Sequence, residues 1–154
     1  MAMYSAIFDN VSVSAAQDFF ELVAPSTGSV VIHAIFIGQS TDYGDAQAEG
    51  LRILLTRGHT ASGSGGSSPT IQKYDTSANA SSGATVEANN TTPASTSGVT
   101  ILADVFNVQV GWQFIPTPEM RPRLAASQRF TVNLPAAPAD ALTMSGTIIW
   151  EETT

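Results

Sequence analysis

Cysteine is absent from this 154-residue chain, which excludes disulfide staples and thiolate metal sites alike. Basic residues are scarce: six Lys or Arg stand against 13 Asp or Glu, a formal net charge of −7. That balance leaves out the electropositive footprint of a nucleic-acid binder and disfavours anionic membrane surfaces. No apolar run approaches the ~18 residues of a membrane-spanning helix. The opening "MAMYSAIFDN" lacks a basic region followed by a long apolar run, so it does not read as a secretory signal. The expectation is a soluble product made in a cytoplasm. Charge of either sign is thin, 12% of residues, about half the usual share. Solubility must then come from Ser, Thr, Asn and Gln, and such surfaces suit a protein that lives against other protein.

Catalytic and metal-binding patterns are also missing. Only two histidines occur, without the spacing of a zinc site. His33 falls inside an apolar run and reads as a satisfied strand residue; His59 reads as a solvated loop residue. Asp42, Asp45 and Glu49 cluster in "STDYGDAQAEG", but their spacing departs from a calcium loop, and a solvated acidic loop is the expectation. There is no Gly-x-Ser-x-Gly elbow. The run "SGSGGSS" lacks the Lys-Ser/Thr end of a phosphate loop and reads as flexible linker chemistry. The sequence therefore assigns no catalytic residue, no cofactor and no metal ligand.

What is present is strand. A hydrophobic fraction of 43% at this length suits one globular domain over residues 1–154. "YSAIF" is a short strand, closed by the turn pair Asp9-Asn10. "SVVIHAIFIG" is apolar on both faces and reads as a central strand covered on both sides. "GLRILLTRG" alternates. "FNVQVGWQFIP" puts Phe106, Val108, Val110, Trp112 and Phe114 on one face up to Pro116. "RFTVNLP" aligns Phe130, Val132 and Leu134. "LTMSGTIIWEE" aligns Leu142, Met144, Gly146, Ile148 and Trp150, leaving Thr143, Ser145, Thr147 and Glu151 opposite. "SAAQDFFELVAP" fits either a short helix opened by a capping box at Ser14 or a strand from Asp18; its brevity before Pro25 favours the strand. "GDAQAE" fits one helical turn. About eight strands without a long helix give an all-β, antiparallel, jelly-roll-like β-sandwich. Trp112 and Trp150 fall on the apolar sides of their strands and read as core.

One stretch stands apart. "GSGGSSPTIQKYDTSANASSGATVEANNTTPAST", residues 63–96, is long and polar within a small domain. Structureless loops beyond ~12–15 residues are functional or disordered as a rule. "TIQKYD" and "ATVEA" offer weak strands inside it, so a hairpin arm at about 58–98 is the structured alternative. With few apolar anchors, this stretch is expected either to move or to order through a neighbouring subunit.

Two segments carry a docking expectation. The N-terminal residues 1–10, with Tyr4, Ile7 and Phe8, form a short apolar stretch at a terminus. "PTPEMRPR" is held extended by Pro116, Pro118 and Pro122 and concentrates scarce positive charge at Arg121 and Arg123. The expected protein–protein contact residues are Tyr4, Ile7, Phe8, Pro118, Arg121 and Arg123.

Taken together, "SAIFDNVSVSAAQDFFELVAP", "GATVEANNTT", "FNVQVGWQFIPTPEMRP" and "MSGTIIWEE" resemble the phrasing of small proteins found among the head genes of tailed bacteriophages. The resemblance spans most of the chain. It implies a virion structural protein, a capsid decoration (cement) protein located on the capsid surface after synthesis in the host cytoplasm. Its implied partners are the major capsid protein and itself, as a homo-oligomer with a trimer expected. The acidic charge fits the outside of a shell rather than packaged DNA. A carbohydrate- or receptor-binding β-sandwich module of a phage particle is the alternative, and it would use exposed aromatics and Asn/Asp loops.

Overall fold

A computed structural model describes residues 2–40, 49–76 and 80–153. Eleven strands follow one another: β1 (Ala2–Val13), β2 (Gln17–Val23), β3 (Ser29–Gln39), β4 (Gly50–Arg57), β5 (Gln72–Lys73), β6 (Thr85–Asn90), β7 (Val99–Asn107), β8 (Trp112–Phe114), β9 (Arg123–Leu124), β10 (Arg129–Leu134) and β11 (Leu142–Thr153). They form two sheets. Sheet I has the order β5-β1-β11-β3-β8, with β9 also pairing β3; sheet II has the order β6-β2-β10-β4-β7. Every pairing within the sheets is antiparallel. The eight-strand frame β1-β11-β3-β8 over β2-β10-β4-β7 is a jelly roll, with β5 and β6 added from the polar stretch.

The core lies between the sheets and follows the period of two. On β11, Leu142, Met144, Gly146, Ile148 and Trp150 face inward as their alternation dictates. On β10, Phe130, Val132 and Leu134 do the same. β2 departs from strict alternation, because its register against β10 shifts between Val132 and Asn133 and leaves Phe19 as the extra residue. The bulge lets Phe19 and Phe20 both enter the core, where Phe8 meets them at ring distances of 5.9 and 5.2 Å. Gly146, opposite Phe8, leaves room for that ring; a Cβ there would come within 2.5 Å of it. The strand reading of residues 18–23 holds, and both tryptophans are core.

Three expectations are corrected. Asp9-Asn10 does not end β1; Asn10 takes φ 54°, the register shifts between Phe8 and Val11, and the strand runs on to Val13. "FNVQVGWQFIP" is not one strand. The Asn107 carbonyl accepts from the amides of Val110 and Gly111, Gly111 turns at φ 83°, and the chain crosses from β7 in sheet II to β8 in sheet I. Val110 is consequently at the tip of a corner and not on an inward face. β3 is central in hydrogen bonding, but its outward side chains Val31, His33 and Phe36 are only half-buried, so no layer of described residues covers sheet I from outside. Residues 99–105 form most of β7, which composition near the Ser/Thr-rich stretch concealed. The segment 44–49, Glu49 apart, lies outside the described residues, as do Asp42 and Asp45. Glu49 accepts the Ala139 amide on both carboxylate oxygens.

Candidate functional site: the two outer faces

Over β2 and β10, sheet II is covered from outside by its own arm, while Val99, Ile101 and Val105 of β7 stay exposed. Residues 61–67 run antiparallel to 88–95 through the bridges Ala61↔Ser95, Ser64↔Thr92 and Ser67↔Ala88. The hairpin-arm reading is thus correct, yet its anchors are of a kind not expected. They are carboxylates on strands. Glu21 of β2 is 2% exposed; it accepts Ser62 Oγ at 2.8 Å, the Gly63 amide at 2.9 Å and Asn90 Nδ2 at 3.1 Å, and it pairs with Arg129 of β10. Asp18, 1% exposed, accepts the Ala94 amide at 2.7 Å and Asn133 Nδ2 at 2.8 Å. Glu152 of β11 does the same for the loop before β6, accepting the Gly83 amide at 3.0 Å, Ser82 Oγ and the Trp150 indole N–H at 3.0 Å. Each carboxylate satisfies backbone donors that a polar loop would otherwise leave without partners.

Burial dominates the electrostatics at Asp18. Desolvation pushes its carboxyl above the ordinary range, and the bonds from Ala94 and Asn133 pull only partly the other way. His59 is not the solvated loop residue expected. Its Nε2 lies 3.1 Å from Thr56 Oγ1, its ring packs against the backbone of Gly98, and its carbonyl accepts Arg129 Nη1 at 2.8 Å. These polar side chains all hold the arm to the sheet.

Among the described residues, sheet I has no such cover. One row across it reads Ile7, Thr147, Phe36, Gln113, by the registers of β1, β11, β3 and β8. Ile7 is 53% exposed, and Val110 at the adjoining corner is 84% exposed. Together with Gly38 they border an open groove of about 410 Å³, where Asp9 is the one charged lining residue among the described residues. At the other end of the face, Arg123 of β9 stands beside Val31 of β3. Seven residues of β3 separate Val31 from Gly38, about 23 Å at strand rise. Between them Glu151 Oε2 and His33 Nε2 meet at 2.9 Å, so His33 is a paired strand residue as read.

The expected contact residues divide accordingly. Ile7 and Arg123 share the outer face of sheet I. Pro118 is exposed at the head of a 3₁₀ turn (Pro118–Met120) on the way to β9, and Arg121 just after it is half-buried. Tyr4 and Phe8 are corrected: at 3% and 5% exposure their rings belong to the core, and the Tyr4 hydroxyl donates to the Ala80 carbonyl at 2.8 Å. They alternate with Ile7 along β1, so only Ile7 can offer surface. Sequence reasoning missed Asp9, Phe36, Gly38 and Val110. The alternation of Phe36 and Gly38 with Ile35 and Ile37 was the available signal, and it was masked because both faces of β3 are apolar.

Neither tryptophan is a stacking platform; Trp112 Nε1 donates to Asp104 Oδ2 at 3.1 Å from the core side. Among the described residues, no three His, Asp or Glu side chains converge to hold a metal ion. Comparison with protein-family models, with curated proteins and with solved structures returns no match to this chain.

Proposed function

We propose that this is a virion structural protein that docks on the outer surface of a tailed-phage head as a capsid decoration (cement) protein, acting as a homo-oligomer with a trimer expected. The observation that carries the proposal is the contrast between the two outer faces. Over β2 and β10 sheet II is occupied by the chain's own arm, which leaves only β7 open there, whereas sheet I presents Ile7, Phe36 and Val110 with little charge. An open apolar face of this kind on a polar, weakly charged molecule is a protein-contact surface. The resemblance to phage head proteins supplies the partner, the major capsid protein. The net charge of −7 suits the outside of a shell over contact with packaged DNA. The carbohydrate-binding alternative lacks its aromatic platform at either tryptophan.

The test is co-sedimentation with undecorated tailed-phage shells assembled from major capsid protein, with native mass spectrometry of the free protein. Saturable binding at a fixed number of copies per capsomer, and a mass above the 16.1 kDa protomer, are expected. A protein that remains monomeric at micromolar concentration and never pellets with shells contradicts the proposal.

A further inference from the structure

We infer that the groove over Gly38 is a specific seat for an aliphatic side chain of a partner protein segment that carries a basic residue beside it. This rests on the docking reading above and names the chemistry of the segment that fills the face. The starting observation is Gly38 itself. It is the next-to-last residue of β3, paired with β11 and lying just past the last β3–β8 pair, Ile37↔Trp112. Glycine in a strand often marks a bulge, a special backbone angle or the close approach of another group. The first two are absent. Gly38 pairs with Ser145 in a continuous register, and the bulge of this strand pair falls elsewhere, between Ile149 and Trp150. The left-handed glycines among the described residues are Gly58, Gly65 and Gly111, not Gly38. Nor does any described residue fill the space, because a Cβ at Gly38 meets nothing within 4 Å among them. The space over Gly38 is therefore open, among the described residues, to approach from outside the molecule.

The chemistry of the visitor follows from the walls. Ile7, Phe36 and Val110 make the groove apolar, and it is wide enough at about 410 Å³ for a branched aliphatic side chain. Among the described residues the one charged lining residue is Asp9, exposed at the rim, with its Oδ1 accepting Ser145 Oγ at 2.7 Å. A basic group next to the aliphatic one would meet Asp9, while an acidic neighbour would be repelled both by Asp9 and by the net charge of −7. A second copy of this acidic chain is a poorer occupant for the same reason.

The experiment is an NMR titration of the isotope-labelled protein with two blocked nine-residue peptides, each with one central Leu, flanked by Lys in one and by Glu in the other. Saturable shifts of the Ile7 and Val110 methyls and of the Gly38 amide are expected with the Lys-flanked peptide, and binding at least tenfold weaker with the Glu-flanked one. Gly38→Val puts its side chain into open space, keeps a native spectrum and weakens the Lys-flanked peptide at least tenfold. Val110→Asp, at an 84% exposed corner, keeps the fold even where Gly38→Val does not; it moves a charge into the apolar groove and weakens the Lys-flanked peptide by a comparable factor. Absence of saturable shifts at these three residues overturns the inference. So does undiminished binding by both variants, or preference for the Glu-flanked peptide. A parent that binds the peptide at this groove but never pellets with shells overturns the decoration reading and leaves the groove assignment standing.

Discussion

On sheet II, the outward side chains of β2 and β10 include Asp18, Glu21, Thr131 and Asn133; on sheet I, Val31, Phe36 and Ile149 point outward among the polar Thr143, Ser145, Thr147 and the His33–Glu151 pair. Asp18, Glu21 and Thr131 are almost fully covered, while the apolar Val31, Phe36 and Ile149 stay half-exposed. This inverts the usual relation between polarity and burial. The arm explains it. A Gly/Ser/Thr-rich segment cannot be held by apolar contacts, so it is held by hydrogen bonds to ionised carboxylates, which are stronger than neutral ones. A face built to bind the arm must be polar, and a face left apolar and open is built for something other than the arm. The comparison teaches that the long polar stretch belongs to the fold, and that the face of β2 and β10 it covers is not open to a partner.

The largest expected effect breaks the polar side. Glu21→Ala removes the partner of Arg129 together with acceptors for Ser62, Gly63 and Asn90. Breaking a buried ion pair from one side costs about 3–5 kcal/mol, to be read as a lowered urea midpoint. The matched change on sheet I, Ile7→Ala, is exposed and should alter stability by no more than about 0.5 kcal/mol. Equal effects at the two positions would erase the distinction drawn between the faces.

A smaller loss is expected at Glu152→Ala. It leaves the Gly83 amide and the Trp150 indole N–H without their acceptor, a cost of about 1–3 kcal/mol for a buried unsatisfied group. Hydrogen exchange at Gly83 and Ala84 should accelerate more than at Ala94, which Asp18 holds instead.

The smallest effect is a pH dependence. The Asp18 carboxyl titrates above its ordinary value of 3.8 because burial disfavours its charge. A raised carboxyl binds its proton more tightly folded than unfolded, so its contribution is fully present below the unfolded value and is lost as pH rises through the folded one. Urea midpoints of the parent and of Asp18→Asn, compared from about pH 4 upward, should therefore drift apart, the parent losing ground as pH rises. A parent that gains on the variant over that range would reverse the sign.

Much of the body was legible in the sequence because period-two alternation carries it. β10, β11 and the inward Trp112 and Trp150 follow from their own residues, and so does the sandwich. β2 was legible as a strand only by its length before Pro25, and its bulge, which turns both Phe19 and Phe20 inward, has no local signature. The corner at Val108–Val110 was concealed by an accident of pattern: Phe106 and Trp112 both face the core, one from each sheet, so the alternation runs on across a change of sheet. The arm's path was half legible, as two weak strands. Its anchors were not, because Asp18, Glu21 and Glu152 lie far from it in sequence and look like ordinary outward strand residues. The candidate contact face was legible at Ile7 and Arg123. It was illegible at Gly38, whose open surroundings exist only once β1, β11, β3 and β8 lie side by side.

The central claim is that sheet I, not sheet II, meets the capsid. Co-sedimentation with undecorated shells should compare two single changes of the same kind on exposed valines: Val110→Asp at the sheet I groove and Val105→Asp on the outer side of β7 in sheet II. The account predicts that Val110→Asp, still folded, loses at least tenfold in shell affinity while Val105→Asp binds as the parent does. Loss of binding by Val105→Asp with full binding by Val110→Asp would contradict it.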